Sequence, residues 1–105
     1  MLGAVIGDII GSRFEADNHK SKEFDLFTQD SCSTDDSVMT LAVAKALVAS
    51  REDWSQLSKN AVKYMQEIGR QYPNCGYGGH FFYWIFSDDP QPYGSYGNGS
   101  AMRIS

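Results

Sequence analysis

A chain of 105 residues has room for about one small domain, which buries roughly two thirds of its extended surface on folding. The 42% hydrophobic and 13% aromatic content excludes a disordered chain, which lacks the apolar surface to offset chain entropy. A formal charge of -4 argues against direct binding of nucleic acid, whose phosphates would be repelled, and fits a cationic cofactor better.

Leu2, Val5, Ile6, Ile9 and Ile10 follow the i, i+3, i+4, i+7, i+8 spacing of one helical stripe, so a first, largely buried helix is expected here. The segment 1–11 has no basic leader, contains Asp8, and is far shorter than the roughly 20 residues that cross a bilayer. It therefore reads neither as a signal peptide nor as a membrane anchor. Gly3, Gly7 and Gly11 recur at every fourth position and leave a face free of side chains. Close helix packing is their expected use, because no lysine follows them as a phosphate-binding loop requires. Asp8, inside this apolar run, belongs either at a solvated edge or in a functional setting, and the sequence leaves both open.

Residues 12–33 are polar, carry Glu15 and show no sustained period, so they read as a long loop. Thr34-Asp35-Asp36-Ser37-Val38-Met39-Thr40 then opens a second helix over 35–49, with Val38, Leu41, Ala42, Leu47 and Val48 as candidate core positions. Thr34 suits an N-cap, and the two aspartates complement the positive helix end. The same three residues are also hard oxygen ligands suited to magnesium or calcium. Local sequence alone favours the cap.

A third helix begins near Asp53 or Ser55 and carries Trp54, Leu57, Ala61, Tyr64, Met65, Ile68 and Tyr72 at helical spacing until Pro73 stops it. After a turn-rich stretch over 73–79, the block His80-Phe81-Phe82-Tyr83-Trp84-Ile85-Phe86 is long enough for about two helical turns, and its apolar density marks it as core. His80 at its head reads first as a hydrogen-bonded structural residue. Residues 87–99 hold two prolines and three glycines and form a loop with specific backbone requirements, in which Asp88 and Asp89 suit a solvated turn.

Residues 100–104 resemble the first turn of another helix, and the chain stops at Ser105, so truncation is expected. Cys32 and Cys75 lack metal or disulfide spacing and read as reduced thiols of a cytoplasmic protein. No stretch alternates as a strand would. The expected fold is all-α, about four helices joined by long functional loops.

Adjacent carboxylates on a helix point about 100° apart, so Asp35 and Asp36 suit two ions, or one ion and a bound water, better than one shared ion. A pair of hard cations a few Å apart polarises substrate oxygens and activates water, the usual logic of two-metal hydrolysis. Such a site needs more oxygen ligands than these three residues supply.

Four segments then resemble, in order, the ADP-ribosylglycohydrolases, including the dinitrogenase reductase-activating type. They are Gly7-Asp8-Ile9-Ile10-Gly11-Ser12-Arg13-Phe14-Glu15, the Thr34 to Thr40 segment, Gly76-Tyr77-Gly78-Gly79, and Gly94-Ser95-Tyr96-Gly97-Asn98-Gly99-Ser100-Ala101-Met102-Arg103. The likeness runs over nearly the whole chain but covers only the N-terminal part of the family's domain, so residues 1–105 are expected to be one truncated unit.

The resemblance implies an all-α, magnesium-dependent hydrolase with two ions, which cleaves the glycosidic bond between ADP-ribose and a modified acceptor. Thr34, Asp35 and Asp36 become metal ligands, with Asp36 also catalytic, and Glu15 handles a proton or orients water. Gly94, Ser95, Tyr96, Gly97, Asn98 and Met102 become the ADP-ribose loop, and Gly76 and Gly78 line the same cleft. The remaining ligands are expected beyond Ser105, in an acidic motif that this sequence does not contain. The implied partners are ADP-ribose or an ADP-ribosylated protein or small molecule. Self-association or a complementing C-terminal fragment would cover the apolar surface left bare by missing helices. The alternative is a non-catalytic ADP-ribose-binding or assembly module; a generic carboxylate glycosidase using Glu15 with an aspartate is a weaker third reading.

Overall fold

Thr34 stands in extended backbone and its hydroxyl accepts the Asp36 amide, so helix geometry starts at the next residue and α2 runs Asp35–Ser50. The computed structural model describes residues 1–103, and all regular structure among them is helical. In chain order the helices are α1 Leu2–Gly11, α2 Asp35–Ser50, α3 Leu57–Gln71, α4 Gly79–Phe86 and a short α5 Gly99–Met102. Single 3-10 turns at Ser12–Phe14 and Trp54–Gln56 lead out of α1 and into α3. Ile104 and Ser105, where the last expected turn would end, lie outside the described residues.

The core is the α2–α3 pair with α4 and α5 laid over one end. Val38, Met39 and Ala42 are buried against Met65 and Ile68 of α3, Cys75 and Tyr77 of the following loop, Phe81 of α4 and Met102 of α5. Ala46 and Ser50 continue the buried row of α2, where Ser50 accepts the Asn60 side-chain amide at 2.8 Å. Small residues along this row let α3 come close. Helix α4 is joined to α3 by Ile85, fully buried against Gly69, and by Gln66 and Arg70, which donate to carbonyls at the α4 C-terminus. Those bonds satisfy the Ile85 and Ser87 carbonyls at the helix end and add a second donor to the Trp84 carbonyl, which also accepts the Ser87 amide.

Several burial expectations are corrected here. The stripe on α1 is not buried: Leu2 is 75% and Ile6 40% exposed, and the buried residue of that helix is Asp8. Among the described helical elements α1 meets only α2 and its own 3-10 turn, and Val5, Ile9 and Ile10 are half-buried while Leu2 and Ile6 stay exposed. Nothing lies within 4 Å of a Cβ built on Gly3, Gly7 or Gly11, so that glycine face is open and not a close helix contact. On α2, Leu41, Leu47 and Val48 are exposed while Met39 and Ala46 are inside. That helix is apolar around much of its circumference, and periodicity could not choose the face. In α4 only Ile85 is buried; Phe82, Tyr83 and Phe86 face outward. Trp54 and Tyr72, at the two ends of the expected third helix, are exposed as well. No helix among the described residues is long and apolar enough to cross a membrane.

Candidate active site

The first turn of α2 is fixed from two sides. From α1, the Asp8 carboxylate accepts the Thr34 amide at 2.8 Å, the Thr34 hydroxyl at 2.6 Å, the Ser37 amide at 3.1 Å and the Ser37 hydroxyl at 2.5 Å. Burial alone would raise the Asp8 carboxyl, but these bonds from Ser37 and Thr34 more than offset it and hold it below the ordinary carboxylate range. From the other side, the Asp35 amide donates to the Cys75 carbonyl at 2.8 Å and ties the loop after α3 to the head of α2. Gly76 then turns with φ +93°, a conformation that L side chains rarely adopt, beside the Asp35 carboxylate.

Asp35 and Asp36 face a cleft of about 990 Å³. Glu15, from the loop after α1, joins them on its acidic wall. Gly76, Gly78, Gly79 and Phe81 line another side, and His80 and Tyr93, in edge contact at 5.9 Å between ring centroids, flank it. Ser95, Gly97, Asn98, Ser100 and Met102 form the facing rim. The Ser95 hydroxyl accepts the Gly97 amide at 3.1 Å, and the Asn98 carbonyl accepts the Ala101 and Met102 amides, so the rim loop turns directly into α5.

Arg103 brings positive charge to this cleft. Its guanidinium lies 4.1 Å from the Phe81 ring centre and folds back over Gly99, where a Cβ would meet Nη1 at 2.9 Å. A larger residue at position 99 would require the guanidinium to shift.

Both carboxyls of the acidic pair are raised above their ordinary range. Burial first, and repulsion from Asp36 second, push the Asp35 carboxyl up to about 6, although Arg103 opposes both. Asp36 is also raised, by burial and then by Asp8, again with Arg103 opposing. Burial lifts the neighbouring Tyr77 hydroxyl to about 12, with Cys75 and Asp35 adding to it, so Tyr77, packed on the core, stays neutral.

The residues singled out in the sequence therefore converge in large part. Glu15, Asp35, Asp36, Gly76, Gly78, Ser95, Gly97, Asn98 and Met102 share the one cleft. Gly94 and Tyr96 do not line it; Tyr96 projects fully into solvent. Thr34 is buried behind the two aspartates, hydrogen-bonded to Asp8. Sequence reasoning did not assign His80, Phe81, Tyr93 and Arg103 to the cleft, because nothing local to them shows which helix ends meet. For Arg103 the signal was present, since it closes the fourth motif. Asp88 and Asp89 are exposed and lie away from the cleft.

The donors present, two carboxylates in the cleft with a hydroxyl behind them, are all hard oxygen and fit magnesium in kind. Among the described residues no three His, Cys, Asp or Glu side chains stand together as a metal-binding group. Water and substrate oxygens would have to complete any shell here, which magnesium commonly accepts.

The fold is all-helical, and an acidic pair, a loop glutamate and a glycine-rich polar rim meet around one cleft. The ADP-ribosylglycohydrolase family model matches residues 1–105, the whole chain, and the protein belongs to that family. The membership supports a glycohydrolase-type function in ADP-ribose metabolism. No curated protein and no solved structure matches the chain.

Proposed function

We propose that this chain is a magnesium-dependent hydrolase that cleaves the glycosidic bond joining ADP-ribose to a modified protein side chain or small molecule, and so reverses ADP-ribosylation in the cytoplasm. One observation carries the reading: Asp35, Asp36 and Glu15 line the same cleft as the Ser95 to Met102 loop. Thr34, Asp35 and Asp36 are the residues to hold the cation. Bound magnesium would supply positive charge that polarises ribose oxygens and makes water more acidic.

The chain's own groups divide the remaining work. A diphosphate brought against two aspartates would be repelled unless positive charge stood between them, and Arg103 on Phe81 is the side chain placed to contribute it. Close backbone approach is open at Gly76, Gly78 and Gly97, while the Ser95 hydroxyl and the Asn98 amide offer hydrogen bonds at the rim. Tyr93 and His80, packed edge to face, supply aromatic surface at the edge of the cleft for a ribose or base. Glu15, exposed on its loop, reaches the cleft as the base that takes a proton from the attacking water.

The test is release of free ADP-ribose from an ADP-ribosylated substrate with magnesium and with a chelator. Magnesium-dependent release that falls at least about 100-fold in Glu15→Gln and Asp36→Asn is the expected outcome. No release at any magnesium concentration overturns it.

A second reading, a non-catalytic ADP-ribose-binding module, is favoured by the lack of a three-residue metal group among the described residues. Saturable ADP-ribose binding, indifferent to magnesium and without turnover, would establish that one.

A further inference from the structure

We propose that Asp8 is a positioning residue for the cation site: it clamps both residues that flank the Asp35–Asp36 pair and turns the Thr34 hydroxyl proton away from the cation. The inference rests on the magnesium reading above and concerns a residue that does not itself line the cleft.

Asp8 is the buried residue of a helix whose apolar side chains are half-buried or exposed. A carboxylate in that place has to be compensated, and here four donors do so, with no Lys or Arg among them. The donors come in pairs, amide and hydroxyl of Thr34 on one side of the acidic pair, amide and hydroxyl of Ser37 on the other. First turns of helices fray readily. This one is pinned on both flanks, which limits the directions in which the Asp35 and Asp36 carboxylates leave the backbone.

The Thr34 bond has a second consequence. A threonine hydroxyl has one proton and two lone pairs. The proton goes to Asp8 Oδ1 at 2.6 Å, and one lone pair accepts the Asp36 amide at a long 3.3 Å. What remains for a cation is lone-pair density. Outer partners that orient a ligand in this way commonly set metal affinity by about 10- to 100-fold.

Asp8→Asn separates this role from simple support of the fold. An asparagine oxygen in the place of Oδ2 keeps three donors: the Thr34 amide, the Ser37 amide and the Ser37 hydroxyl. Its NH2 group, in the place of Oδ1, must donate to Thr34 Oγ1, and the hydroxyl proton then turns outward. Titration calorimetry with magnesium chloride as the sole ligand is expected to show about 10- to 100-fold weaker binding in this variant, with unchanged helical circular dichroism.

The same substitution in a Thr34→Val background, which has no hydroxyl to turn, is expected to cost less than about threefold. Ser37→Ala removes one donor and fits a helix, so it reads the clamp even if Asp8→Asn fails to fold; a loss of about two- to fivefold is expected. Wild-type affinity in Asp8→Asn, equal losses with and without the Thr34 hydroxyl, or wild-type affinity in Ser37→Ala overturns the inference while the metal reading stands. Absence of saturable magnesium binding in the wild-type chain overturns both.

Discussion

The joint between α3 and α4 places Gly79, His80 and Phe81 on the cleft, and its buried apolar contact is Ile85 on Gly69. A Cβ built on Gly69 would lie 2.9 Å from Ile85 Cδ1, 3.1 Å from Cγ2 and 3.2 Å from Cγ1. Ile85 is fully buried and β-branched, so its side chain can neither swing into solvent nor freely change χ1. Gly69→Ala gains about 1 kcal/mol of helix propensity but forces an overlap that costs about 1–3 kcal/mol, a net loss of roughly 0–2 kcal/mol. Ile85→Ala removes all three clashing atoms and leaves a cavity, at about 2–5 kcal/mol.

In the double variant the new methyl enters that cavity. Gly69→Ala should then be neutral or stabilising, and the two changes should couple favourably by about 1–3 kcal/mol. Urea unfolding followed by circular dichroism on the four proteins measures the cycle. Additivity to within about 0.5 kcal/mol would show that Gly69 is not needed for the approach of Ile85 and would refute the packing account.

Metal-free stability should fall as pH rises. Asp35 has its carboxyl at about 6 in the folded chain against an ordinary 3.8, so between these values the native state keeps a proton that the unfolded chain has lost. The favourable contribution is therefore full below about pH 4 and is lost as pH passes 6. Solvent screening of this half-exposed group reduces it to about 1–2 kcal/mol, from the roughly 3 kcal/mol of the full displacement. Melting temperatures in a chelator should decline by several degrees from pH 4 to 8, and magnesium should flatten the trend; a rise would refute it.

Arg70→Ala should cost about 1–2 kcal/mol in urea unfolding, because its Nε donates to the Ile85 carbonyl at 2.8 Å and its Nη2 to that of Ser87 at 3.1 Å. Lysine should restore little, having no planar fork. Gly76→Ala should cost about 1–2 kcal/mol through its φ of +93°, whereas D-alanine introduced by semisynthesis, which tolerates that angle, should not. Equal losses for the two alanines would point to crowding at Asp35 and not to backbone strain.

Helix positions were largely legible in the sequence, since capping and stop signals are local. Thr34 before Asp35 gave the start of α2, and Tyr72–Pro73 the end of α3. Burial was much less legible. Stripes chosen by periodicity on α1 and α2 assume that each helix is covered on its most apolar side, whereas the one buried side chain of α1 is Asp8, bonded to the head of α2. The aromatic block of α4 was recognisable as a helix, but only its meeting with α3 leaves Ile85 inside and Tyr83 out. In the site, motif order pointed to Glu15, Asp35, Asp36 and the rim loop. Arg103, His80 and Tyr93 became visible only once α4 and α5 stood beside the head of α2.

By itself the sequence determined the helical class and, through the order of its motifs, the family, because capping signals, helical spacing and motif residues each lie a few positions apart. The tertiary structure decided what those residues do to one another. It sets Asp8 of α1 beneath Thr34 and Ser37, lifts the Asp35 carboxyl to about 6 by burial and by the closeness of Asp36, and stacks Arg103 on Phe81. Desolvation and through-space charge depend on distances between groups far apart in the chain, and only the fold determines those distances.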